Sequence, residues 1–141
     1  SGPAVVKYVK YAMAAAGWNC EIRTSILPDE AVALRASLAE APAADLIITT
    51  GGTGIGPRDI TPEVVKPLLT KEIPGIMEQI RVKYSAKNPK ALLSRGVAGV
   101  IGNTLIYTLP GSVKAVHEYM AEIVKTMEHT FYMLYGMDVH K

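Results

Sequence analysis

The sequence predicts an α/β domain with a mostly parallel sheet and one β-hairpin, and three observations lead there. Short apolar runs of strand character alternate with helical periodicities, an order that implies parallel strands joined by crossover helices. "DLIITT" at residues 45–50 is a continuous apolar run of the kind expected for a strand covered on both faces. "GVAGVIGNTLIYTLP" reads as two strands around Gly102 and Asn103, a two-residue hairpin signal.

Each element follows in order. Residues 3–16 carry Val5, Val6, Val9, Ala12, Met13 and Ala16 at helical spacing, with Pro3 in the first turn and Gly17 as the stop. "CEIRTSIL" at residues 20–27 alternates apolar and polar residues like a strand with one wet face. "PDEAVALRASLAEA" gives a short amphipathic helix with Val32, Leu34 or Arg35, and Leu38 inward. After "DLIITT" a helix starts near Thr61, with threonine as cap and Pro62 at the first helical position. Pro67 and then Pro74 with Gly75 break this region, and its second piece runs over about residues 76–84. The hairpin leads to a long helix over residues 113–134, with Val116, Tyr119, Met120, Ile123, Val124, Met127 and Phe131 on its inner side.

Composition limits the function classes. The 141 residues suit one domain spanning residues 1–141, and nearly half of them are hydrophobic, which excludes disorder. A formal net charge of +2 is too small to argue for a nucleic-acid partner. No apolar run approaches the roughly 20 residues of a membrane span, so no membrane partner is expected. The single cysteine, Cys20, builds no disulfide framework and suggests a reducing, cytoplasmic setting. The chain starts at Ser1 without methionine and enters a helix at once, as a piece of a longer sequence would.

In sheets of this kind, ligands bind beyond the carboxyl ends of the strands. That rule selects "LPDE", "GGTGIGPRD" and "LPGS". Gly51, Gly52 and Gly54 allow backbone N–H groups to approach an anion closely. The nucleotide motifs do not match, because no Lys-Ser/Thr pair follows and Pro57 stands three positions after Gly54. Asp29 and Asp59 both fall at strand ends. Carboxylates beside a phosphate cradle make chemical sense when Mg²⁺ bridges them, which suggests phosphoryl or nucleotidyl transfer. Plainer readings stand beside these: Asp29 as an N-cap, Asp59 as a turn residue paired with Arg58, Ser112 as the N-cap of the long helix, Arg95 as a surface cation. His117, His129 and His140 show no metal-ligand spacing.

"SGPAVVKYV", "ILPDE", "LIITTGGTGIGPRDITPE", "EIPGIMEQIR" and "ALLSRGVAGVIGNTLIYTLPGSVKAVHE" resemble, in this order and over roughly residues 1–120, the molybdopterin adenylyltransferase family of bacterial Mog proteins and gephyrin and plant G domains. The resemblance implies a three-layer α/β/α fold of MoaB/Mog type with a small hairpin subdomain, and a homotrimer. It implies Mg²⁺-dependent transfer of AMP from ATP to the terminal phosphate of molybdopterin, with the product passed to a molybdenum-insertion protein. By the family's pattern Asp29 and Asp59 are the essential carboxylates and tentative Mg²⁺ ligands. Thr50, Gly51, Gly52, Thr53, Gly54 and Arg58 belong to the first pterin loop, Pro110, Gly111 and Ser112 to the second, and Ser94 and Arg95 to the "LSR" segment between them. The resemblance further implies a strand and a loop ahead of the first helix. Three rivals remain: a MoaB-type protein that binds molybdopterin without adenylylating it, a pterin-binding scaffold, and a competence-damage-type domain acting on a nucleotide-like pyrophosphate.

Overall fold

A computed structural model describes residues 1–39 and 43–136. Helix α1 (Gly2–Ala16) buries Val9 and Met13, one turn apart on its inner face, and ends at Gly17 in the left-handed conformation. Helix α2 (Ala31–Leu38) turns Leu34 and Leu38 inward and leaves Val32 72% exposed, so the expected inner face is rotated away from Val32. Strand β1 (Leu46–Thr50) leads through the glycine loop to helix α3 (Thr61–Val65). A 3₁₀ turn at Lys66–Leu68, the two-residue strand β2 (Lys71–Glu72) and helix α4 (Pro74–Ser85) follow. A second 3₁₀ turn (Pro89–Leu93) precedes β3 (Ala98–Ile101), β4 (Thr104–Leu109) and the long helix α5 (Val113–Leu134).

The sheet has the order β1-β4-β3-β2. β1 and β4 pair in parallel, Leu46 opposite Leu105 through Thr50 opposite Leu109, while β3 pairs antiparallel with β4 and with β2. The sheet is therefore mixed, and its parallel part is the β1–β4 pair. The hairpin turns at Gly102 and Asn103 as expected, but it lies within the main sheet, where β4 is the strand that links the parallel and antiparallel parts.

Alternation along β4 sorts side chains to two cores. Leu105, Tyr107 and Leu109 join Ala98 and Val100 beneath α1, α4 and α5, where Met77, Ile80, Met120, Ile123 and Phe131 pack. Ile106 faces the opposite side with Val97, Leu34 and Leu38 of α2 and Val64 and Val65 of α3. This is the expected three-layer arrangement.

Two expectations fail for one physical reason. Residues 20–27 form no strand: only Ile22 reaches the core, and Ile26 is fully exposed. β1 is half-buried rather than covered on both faces, because it lies at the edge of the sheet. Alternation and hydrophobicity describe how a strand would face a core, but a strand exists only where a neighbour takes its N–H and C=O groups.

Candidate active site

β1 and β4 run in parallel, so the loops that follow them leave from the same edge. The ladder extends one step past the strands, with Gly51 N–H donating to the Leu109 carbonyl at 2.8 Å. A Cβ on Gly111 would lie 3.3 Å from the Gly51 Cα, so the two loops touch through backbone. An open cleft of about 250 Å³ lies at this junction, lined by Gly52, Thr53, Gly54, Asp59, Ser94, Pro110 and Gly111 together with Lys90 and Leu93.

The first loop is locked from both ends. Gly52 sits at φ +74°, and a Cβ there would lie 2.3 Å from the Thr61 Oγ1. Thr61 does not cap α3, whose N-cap is Ile60. It is the first helical residue, and its hydroxyl donates back to the Gly51 carbonyl (3.2 Å) while its N–H donates to the Gly52 carbonyl (3.1 Å). Asp59 turns inward and its Oδ2 accepts from Gly56 N–H at 2.8 Å. It forms no pair with Arg58, whose side chain is exposed.

Arg95 does not serve as a free cation. Its Nε donates to the Gly54 carbonyl (2.8 Å), its Nη2 to the Asp59 carbonyl (3.0 Å), and its fork grips the Glu63 carboxylate. The Arg95 N–H donates to the Thr53 carbonyl at 2.8 Å. The guanidinium hydrogen bond holds the Glu63 carboxyl below the ordinary carboxylate range, and Glu63 in turn raises Arg95. Arg95 is thus the strut that fixes the glycine loop, a role that its charge and its place in "LSR" do not disclose.

Ser94 is fixed as well. Its Oγ accepts from the Tyr119 hydroxyl (3.2 Å), and Arg81 donates to the carbonyls of Ser94 (3.2 Å) and Gly96 (3.1 Å). Arg81 escaped the sequence reading, although it ends the matching stretch "EIPGIMEQIR". So did Lys90, whose only signal was the turn-forming Asn88 and Pro89 before it. Ser112 is the N-cap of α5, its hydroxyl accepting from Ala115 N–H at 3.1 Å. Thr50 ends β1, exposed, and does not itself line the cleft. Asp29 is exposed, one residue before the Glu30 N-cap of α2, and does not line the cleft. His117 takes part in a contact with the Tyr8 hydroxyl (3.1 Å); His140 lies outside the described residues.

Among the described residues no group of three His, Cys, Asp or Glu side chains could form a metal cage. Mg²⁺ usually keeps several waters and binds through one or two carboxylates plus substrate phosphates. Asp59, with one oxygen engaged by Gly56 N–H, is the one carboxylate in the cleft lining that could contribute to such a site.

The fold and this cleft define a class: a small-ligand domain that presents two glycine-bearing loops and a carboxylate beyond the ends of paired parallel strands. Residues 2–129 match the family model described as the probable molybdopterin binding domain, and the chain belongs to that molybdenum cofactor biosynthesis family. It is 40% identical over 124 residues to the molybdenum cofactor synthesis protein cinnamon of Drosophila melanogaster, covering 86% of this chain and 20% of that protein. It is 52% identical over 83 residues to molybdenum cofactor biosynthesis protein B of Staphylococcus aureus, covering 57% of this chain and 49% of that protein. The chain thus spans between about a fifth and a half of these relatives. The tungsten cofactor synthesizing protein MoaB from Pyrococcus furiosus superposes with a TM-score of 0.83 at 32% identity, over 95% of this chain and 84% of that one.

Proposed function

We propose that this domain transfers AMP from ATP to the terminal phosphate of molybdopterin. The observation that carries the reading is the cleft where two glycine-bearing loops meet at the ends of parallel strands with Asp59 inside. Membership of the molybdopterin-binding family supports the ligand.

In this reading a phosphate oxygen of molybdopterin attacks the α-phosphorus of ATP. The new P–O bond forms as the α–β bridge breaks, and pyrophosphate leaves. The attacking oxygen is already anionic, so no strong base is needed. What the protein must provide is in-line placement and neutralisation of charge. Loop amides from Gly52 to Gly54 and from Gly111 and Ser112 face the pterin phosphate end, while Gly51 N–H is held by the Leu109 carbonyl, with Thr53, Ser94 and Pro110 shaping the wall. Asp59 orients the triphosphate; the Mg²⁺ that accompanies ATP would supply charge neutralisation at its phosphates.

Pyrophosphate release from ATP, Mg²⁺ and molybdopterin tests this. Asp59→Asn is the informative variant, because an amide oxygen still accepts from Gly56 N–H while the charge is lost. The expected outcome is molybdopterin binding close to the parent's and pyrophosphate release lower by 10²-fold or more, about 3 kcal/mol of barrier. Turnover at the parent's rate would remove Asp59 from the chemistry. A second reading, molybdopterin binding without adenylylation, draws on one observation: Asp29 stands exposed outside the cleft lining. Tight binding by the parent with no pyrophosphate released would establish it.

A further inference from the structure

We propose that Lys90 is the side chain that recognises the phosphate of the ligand in the cleft, and so makes the site select a phosphorylated pterin over an unphosphorylated one. The inference rests on the reading above and adds to it the residue that reads the phosphate.

The charges around the cleft lead to Lys90. The cleft already carries the Asp59 carboxylate, so a phosphate entering it needs a compensating cation. Arg95 cannot supply one, since its guanidinium donates to two loop carbonyls and grips Glu63. Arg81 is similarly occupied by the carbonyls of Ser94 and Gly96. Lys90 is the one Lys or Arg among the residues that line the cleft, and it is exposed. No hydrogen bond or ion pair to its ammonium is found among the described residues, whereas the ammonium groups of Lys83 and Lys125 are both paired with Glu122.

The backbone beneath Lys90 is held in place while its ammonium is left free. Asn88 caps the 3₁₀ turn, its Oδ1 accepting from the Lys90 N–H at 3.2 Å, and its own N–H donates to the Tyr84 carbonyl at 3.1 Å. Pro89 fixes φ between them. The turn therefore presents Lys90 at the cleft from a determined backbone. A lysine is suited to this task as a compact, rotatable charge that needs no planar partner.

The test compares binding of molybdopterin and of its dephosphorylated form to the parent, Lys90→Ala, Lys90→Arg and the control Lys87→Ala, at low and high salt. Lys87 is exposed in the turn that follows α4, ahead of the Asn88 cap, and does not line the cleft. The expected result is molybdopterin binding weakened about tenfold in Lys90→Ala, with the dephosphorylated ligand unchanged and the difference shrinking at high salt. Lys90→Arg and Lys87→Ala should bind like the parent. A parent that binds molybdopterin and a Lys90→Ala variant that binds it equally well would overturn the role of Lys90 alone. A parent that does not bind molybdopterin would overturn the reading of the whole site.

Discussion

An alanine at position 52 would place its Cβ 2.3 Å from the Thr61 Oγ1 on a backbone held at φ +74°. Neither problem has a local escape, because Thr61 is tied to the carbonyls of both Gly51 and Gly52. Gly52→Ala should therefore cost on the order of 1–3 kcal/mol in urea unfolding and also abolish molybdopterin binding. Gly54→Ala is the contrasting case. Its Cβ would meet only the Asp59 carboxylate, with Oδ2 nearest at 2.7 Å, and a carboxylate can swing aside. Stability should fall less there, while Asp59 is displaced from its place in the cleft. Equal stability of Gly52→Ala and the parent would show that the loop is not locked as described. At this scale the sequence revealed residue types without their partners. Arg95 is 41 positions from Gly54 and 32 from Glu63, so nothing local to "LSR" could distinguish a strut from a phosphate-binding cation.

The first turn of α5 couples an element to the site. Ser112 caps that helix through Ala115 N–H, next to Pro110 and Gly111 in the wall of the cleft. Ser112→Ala should cost about 1 kcal/mol of stability, the usual loss of an N-cap. Ser112→Asp keeps an acceptor and adds charge that suits a helix N-terminus, so its denaturation midpoint should stay near the parent's. The same carboxylate would repel a phosphate, so molybdopterin binding should weaken several-fold. Unchanged binding by Ser112→Asp would remove Ser112 from the ligand's surroundings and leave it a cap alone. α5 was legible residue by residue because its signals are local: a 3.6 periodicity and a serine before it. The hairpin at Gly102 and the stop at Gly17 were legible for the same reason. Residues 20–27 and the burial of β1 were not, since pairing and sheet position are decided by distant chain. The run buried on both sides is β4, in which all six residues are buried.

Across the whole molecule, one sheet separates two cores, and the larger contains an unsatisfied polar group. Tyr107 is fully buried between β1 and β3 under α5, and its hydroxyl has no hydrogen-bond partner of good geometry among the described residues. Burial pushes this phenol up to about 12, against a smaller opposing influence from the Thr130 hydroxyl, whose own proton goes to the Thr126 carbonyl at 2.7 Å. A buried tyrosine that loses a real hydrogen bond typically costs about 1 kcal/mol on change to phenylalanine. Here Tyr107→Phe removes a desolvated hydroxyl and leaves no partner behind, so the variant should be as stable as the parent or more stable by up to about 1 kcal/mol. The alkaline limb gives a second readout. The folded value lies above the unfolded value of 10.0, so the fold holds its proton more tightly than the unfolded chain. That contribution is fully present below pH 10 and is lost as pH rises toward 12. Tyr107→Phe should flatten part of this decline and leave the part due to Tyr135, which is also raised to about 12 by burial and by its bond to Asp45. Urea unfolding of both proteins from neutral pH to pH 11 checks both statements. A Tyr107→Phe variant less stable than the parent by 1 kcal/mol or more at neutral pH would mean that the hydroxyl has a partner, such as a buried water.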